Sequence, residues 1–203
     1  MQESAVPTDG RAARAARTRD AIVEATVALV EEGDVRPTAP RIAERAGVSV
    51  RSVFQHFDDL PALHTAVVQR VVERLAVLVV PADPARSLAD RIDAFAENRA
   101  ALLEAVTPFR RAAAVHGPFA PELRDAVAQG SRFLRQEVEA AFAPEIQAAA
   151  EADRRHLVDT LAAATSWGVW DGLRSDAGDT PDQARAVLRS LLAALLADPV
   201  SLG

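Results

Sequence analysis

The chain contains neither cysteine nor lysine. Without cysteine there is no disulfide framework, no cysteine-ligated zinc and no cysteine nucleophile. The missing lysine makes all 23 basic residues arginine, which we read as compositional bias rather than chemistry. No apolar run is long enough to cross a bilayer, and the first residues are polar and then arginine-rich, unlike the apolar core of a secretion signal. A cytoplasmic protein with no membrane partner is therefore expected. The four histidines form no i, i+4 pair and no recognisable motif. Neither an enzyme nor a metal or cofactor site is expected. The net charge of −6 argues against a nonspecific nucleic-acid binder of high pI, but it leaves room for positive charge that is local.

What is present is helical periodicity with sharp punctuation. Apolar spacing and Pro, Gly and Asp breaks predict helices over roughly 18–32, 39–46, 50–56, 59–80, 87–106, 108–115, 121–142, 152–174 and 181–197. No strand pattern or repeat interrupts them. The expected fold is all-α with about nine helices.

The segment from Thr38 to Phe57 carries the most information. Thr38 is suited to an N-cap, and Pro40 falls in a first turn that does not need its donor. Ile42, Ala43 and Ala46 share one face. Gly47 stops the helix where a left-handed backbone is needed. Val48 then fills the corner, and Ser49 is placed to cap a second short helix. In that helix Val53 and Phe57 point inward, while Val50, Arg51, Ser52, Phe54 and Gln55 lie toward the other side. Two short helices joined this way form a helix-turn-helix.

The pattern of Thr38, Ile42-Ala43, Ala46-Gly47-Val48-Ser49, Val53-Phe54 and His56-Phe57 resembles the TetR family of bacterial transcriptional repressors. A preceding helix fits as well, with Ile22, Ala25, Leu29 and Val30 inward and Gly33 after its end. The resemblance implies an arm and helix-turn-helix domain over residues 1–60 and a helical effector-binding and dimerisation domain over 61–203. It implies a homodimer on a double-stranded, pseudo-palindromic operator, released by a hydrophobic or aromatic small molecule. Carried over by position, Val50, Arg51 and Ser52 face bases, and Thr38, Gln55 and His56 face the backbone. Arg51 is suited to guanine O6 and N7. His56 reads equally as a packed structural residue.

Two departures stand out. The usual tyrosine is Phe54, which lacks the hydroxyl for a phosphate. The lysine common at the start of the fourth helix is Leu60, beside Asp58 and Asp59. Weaker affinity for the DNA backbone is expected, or compensation from Arg41 and from Arg11, Arg14, Arg17 and Arg19. That stretch reads either as a DNA-contacting arm or as a solvated tail.

Effector candidates are the bulky and polar residues Phe95, Asn98, Leu102, Phe109, His116, Phe133, Trp167 and Trp170, with Phe119, Arg132 and His156 beside them. Ordinary core packing is the competing reading for each aromatic. Leu157, Leu161 and Ala164, with Leu188, Leu191, Leu192 and Leu195, form two stripes that the resemblance assigns to a four-helix dimer interface; the competing reading is that they cover the protomer's own core, and helices this apolar have two faces to bury. The rival to a regulator is a helical protein-interaction module whose helix-turn-helix has lost DNA binding.

Overall fold

The computed structural model describes residues 8–83, 85–117 and 120–197, and all regular structure among them is helical. In chain order the elements are α1 (Thr8–Glu31), α2 (Ala39–Ala46), α3 (Val50–His56), α4 (Leu60–Ala76), α5 (Leu88–His116) and α6 (Pro121–Ala141). After these come α7 (Ala143–Ala148), α8 (Glu151–Ala164), α9 (Trp167–Asp171), a π-helical turn (Gly172–Asp176) and α10 (Pro181–Ala197).

Helix α4 ends at Ala76 rather than near residue 80, and three further boundaries differ from those expected. Helix α1 begins at Thr8 rather than near residue 18, so the four arginines lie inside it. Alanine and arginine are strong helix formers, and residues 11–17 are made only of these two. Helix α5 runs unbroken through Pro108, where two helices were expected. A proline costs about 3 kcal/mol in a helix interior, and burial of Phe95, Leu102 and Leu103 along the same helix outweighs it. The single helix read over 152–174 is broken after Ala164. Thr165 ends α8, and the Ser166 hydroxyl accepts the Val169 N–H at 3.4 Å to start α9. Helix α7 has six residues, too few for a periodic signal.

The chain divides into two compact units. The first draws on residues 1–73 and 108–126. In it α1, α2 and α3 pack on one another around Ile22, Val27, Leu29, Ile42, Val53 and Phe57, each at most 4% exposed. Each such side chain contributes about 1.5–3 kcal/mol of hydrophobic stabilisation. Arg70 on α4 pairs with Asp20 and Glu24 on α1. His64 Nδ1 donates to Glu122 Oε1 at 2.9 Å, and His116 Nε2 donates to the Val35 carbonyl at 3.0 Å.

The second unit draws on residues 74–107 and 127–203. One apolar cluster joins Ile92, Phe95, Val138, Phe142, Leu157, Leu161, Leu192 and Leu196. Another joins Ala100, Leu103, Trp170, Ala184 and Leu188. Of the two readings of the α8 and α10 stripes, the protomer's own core takes Leu157, Leu161, Leu188 and Leu192, which are at most 1% exposed, so these four are not free for a subunit interface. Leu157, Leu161 and Leu192 are covered where α8 and α10 meet α5 and α6, and Leu188 is covered by Leu103 and Trp170. Ala164, Leu191 and Leu195 remain half-buried.

Candidate nucleic-acid interface

Helices α2 and α3 have the bounds that the sequence predicts, and the turn between them is built as expected. Gly47 adopts φ +66°, in the left-handed region, and its N–H bonds back to Glu44 O at 3.2 Å. The Ser49 hydroxyl accepts the Ser52 N–H at 3.1 Å and starts α3. Val48 is half-buried in the corner. Thr38 occupies the N-cap position of α2 with an extended backbone, but its side chain makes no capping hydrogen bond. The expected cap is therefore absent. The Thr38 carbonyl still accepts the Ile42 N–H at 2.9 Å.

Burial sorts α3 into two faces. Val53 is 3% exposed, as is Phe57, which follows the helix. Val50, Arg51, Phe54 and Gln55 are exposed, and Ser52 and His56 are half-buried. Arg51 has no acidic partner among the described residues, so its guanidinium is free to meet an external acceptor. Val50 and Phe54 are 39% and 58% exposed, and Leu60 is 57% exposed. Phe54 and Leu60 border a shallow apolar hollow floored by Ile42, Val53, Phe57 and Leu63.

Several arginines are already engaged. Arg41 lies 2.5 Å from Asp34, and Arg45 pairs with Glu32. Hydrogen bonding to Arg45 holds the Glu32 carboxyl below its ordinary range. Arg19 stacks its guanidinium 4.6 Å over the Phe57 ring. It therefore braces the end of α3 from α1, a role the sequence reading missed. Arg11, Arg14 and Arg17 remain exposed, three residues apart, on the N-terminal turns of α1. Residues 1–7 of the expected arm lie outside the described residues.

Asp59 is not a stray acid beside the recognition helix. Its carboxylate accepts the Ala62 N–H at 2.8 Å, and its carbonyl accepts the Leu63 N–H at 3.4 Å. It thus starts α4, where a negative charge is favoured by the helix dipole. Asp followed by Pro two residues on was the available signal.

The effector candidates are divided between the two units. Phe109 and His116 belong to the first unit, and Phe95, Asn98, Leu102, Phe133, Trp167 and Trp170 to the second. Within the second unit, Phe95 packs on Phe142 with ring centroids 5.1 Å apart. Trp170 is fully buried and donates to Glu104 Oε2 at 3.0 Å, and Trp167 donates to the Thr107 hydroxyl at 3.1 Å. Asn98 donates to the Leu78 carbonyl. Leu102 is buried, whereas Phe133 is 39% exposed. Arg132 and His156 are also exposed. Phe119 lies outside the described residues. The polar ends of Asn98, Trp167 and Trp170 are thus satisfied by the protein itself.

Residues 22–67 match the sequence profile of the bacterial regulatory proteins of the tetR family. No curated protein sequence matches the chain. Among solved structures, a TetR-family transcriptional regulator from Rhodococcus sp. superposes with a TM-score of 0.66 at 20% identity, covering 88% of this chain and 98% of that one. A transcriptional regulator from Pseudomonas aeruginosa PAO1 gives 0.64 at 22% identity, covering 88% and 90%. The multidrug binding protein EbrR, complexed with imidazole, gives 0.56 at 21% identity, covering 85% and 93%. At these identities the likeness concerns the fold. It agrees with the all-helical reading: an N-terminal helix-turn-helix followed by a helical C-terminal part. The family resemblance seen in the sequence is borne out over the matched segment, residues 22–67, which carries the helix-turn-helix.

Proposed function

With a tetR-family helix-turn-helix as the premise, we propose that the protein is a homodimeric repressor that binds a pseudo-palindromic operator and leaves it when a small molecule binds. The observation that carries this reading is the face of α3. Val50, Arg51 and Gln55 stand exposed on a capped helix whose other side is anchored by Val53. A guanidinium so placed hydrogen bonds two acceptors of a guanine edge, and Val50 meets a thymine methyl. Arg11, Arg14 and Arg17 supply phosphate contacts from the start of α1, with Thr38 and His56 as further backbone contacts. Phe54 offers an apolar face to the sugar edge in place of a hydroxyl.

Dimerisation in this reading rests on the half-buried Ala164, Leu191 and Leu195, since the neighbouring leucines are already covered. Two recognition helices on a twofold axis read half-sites about one helical turn apart, roughly 34–36 Å. A small-molecule effector is supported by the second unit's aromatic content and by the likeness to a multidrug binding protein. The effector acts only through its preference for one of the two conformations.

The test is binding of the purified protein to the intergenic DNA upstream of its own coding region, against scrambled competitor and over a salt series. Selective binding to a palindrome, with affinity falling steeply as salt rises, is the expected result. Absence of selectivity there and in a selection from genomic fragments would favour the protein-interaction module.

A further inference from the structure

Two arginines eight residues apart on α5 are almost fully buried. Arg91 is 5% exposed and Arg99 is 2% exposed. Arg91 has a carboxylate: it bonds Glu145 through both terminal nitrogens and also donates to Ala141 O at 2.8 Å. In the same unit Arg135, Arg174, Arg185 and Arg189 likewise face Asp159, Glu104, Glu97 and Asp93. Arg99 differs from all of these. Among the described residues no carboxylate lies within ion-pair distance of it, and its acceptors are two backbone carbonyls, Leu134 O at 2.8 Å and Thr165 O at 3.3 Å. They take two of the five donors of the guanidinium. Its flat face lies 4.6 Å from the centre of the Phe95 ring.

A cation held this deep costs several kcal/mol of lost hydration, and buried charges are ordinarily paired. Burial pushes the Arg99 guanidinium down to about 10, against the opposing charge of Glu137. At neutral pH it is still a full positive charge. The surroundings are apolar: Phe95 belongs to one core cluster, and Leu134 packs against the other, beside Trp167 and Trp170. The chemistry that completes this arrangement is an anion on an apolar body. Guanidinium and carboxylate geometries match in two parallel hydrogen bonds.

We propose that Arg99 recognises the carboxylate of a small amphiphilic acid, and that this acid is the effector of the regulator. The inference rests on the effector reading above and sharpens it from an apolar molecule to an apolar acid. The carboxylate docks on the free donors of Arg99, and Phe95 and Leu134 contact the apolar part. The polar ends of Asn98, Trp167 and Trp170, already bonded within the protein, take no part in the recognition.

The experiment is thermal unfolding of the full chain with benzoate, phenylacetate and octanoate, each against its neutral amide. At least one acid is expected to raise Tm by roughly 5–10 °C at a hundredfold excess over its Kd, with no shift from its amide. Arg99→Gln should abolish that shift, and Arg155→Gln, at an exposed arginine of α8, should leave it intact. If Arg99→Gln does not fold, Arg99→Lys takes its place and should weaken the acid at least tenfold. The proposal is overturned if none of the three acids moves Tm, if an amide works as well as its acid, or if the Arg99 variants respond like wild type. In that last case the guanidinium is only a tie between α5, α6 and the end of α8. Selective DNA binding without added acid tests the regulator separately. Acids that stabilise the protein but do not release DNA would uphold the site and sink its role as effector switch.

Discussion

The helix-turn-helix and the α8–α10 pair treat apolar side chains in opposite ways. On α3 only Val53 is buried, while Val50 and Phe54 stand in solvent. On α10 every fourth residue from Ala184 through Leu188 and Leu192 to Leu196 is buried, at no more than 5% exposure. Both helices show apolar periodicity, so periodicity alone does not tell stability from function. The difference lies in what covers the side chain. On α10 the protein's own helices do, whereas on α3 the outward apolar and basic groups are left to solvent, open to the DNA of the proposed function.

The sharpest way to break that comparison is to charge the covered stripe. Leu188→Arg should destabilise the protomer by more than about 4 kcal/mol, because the guanidinium would be buried without a partner. Thermal unfolding by circular dichroism would show loss of the folded baseline. A variant that melted normally but sedimented at half the mass of a wild-type dimer would instead return Leu188 to a subunit interface.

Next in size is the buried ion pair that α5 makes with α7. Glu145→Ala should cost about 3–5 kcal/mol at neutral pH, since it leaves Arg91 buried without its carboxylate. Hydrogen bonds from Arg91 hold the Glu145 carboxyl below its ordinary range, against the opposing effect of burial. A carboxyl depressed in the folded state stabilises fully above its unfolded value near 4.5 and loses that contribution as pH falls through the folded value. Urea titrations should therefore find the gap between variant and wild type narrowing below pH 4.5. A gap independent of pH would mean that packing, not charge, sets the loss.

On the exposed side the effects move from folding to binding. Arg51→Ala should cost about 1–3 kcal/mol of operator affinity and relax preference at one base position, with Tm unchanged. Uniform weakening across all sequences would place Arg51 on phosphate. The smallest effect separates the two hydroxyls of the motif. Ser49→Ala should lose about 1 kcal/mol of stability, because its oxygen holds the Ser52 N–H, while Thr38→Ala should leave the melt unmoved. Equal losses at both sites would show that Thr38 caps α2 after all.

The local grammar of the first unit was legible because it depends on single residues. Gly47 is needed for a left-handed turn, Ser49 for a cap, and Val53 and Phe57 for an inward face, and each is found in that role. The start of α1 was misread because a run of arginine reads as solvated tail, although alanine and arginine together favour helix. Pro108 was misread in the opposite sense, since long-range burial along α5 outweighs a local breaker. For the leucines of α8 and α10 the protomer's own core and a subunit interface both stayed open, because sequence carries no record of which neighbour arrives first. Arg99 went unread although it interrupts an apolar face between Phe95 and Leu103. An arginine at a position where periodicity demands a hydrophobe was the available signal.

The recognition helix has seven residues. At 1.5 Å per residue it is about 10 Å long, and with base pairs about 3.4 Å apart it lies beside about three of them. A three-letter word in a four-letter alphabet recurs by chance about once in every 64 positions, which makes one copy of α3 an address far too short to be unique. Whatever selectivity the protein has must come from joining words. On the proposed reading a second copy at a fixed spacing would double the message, and the arginine face of α1 would add a reading of groove shape beside it. The brevity of α3 thus sets a lower limit on how many separate contacts must agree before one stretch of DNA is told from another.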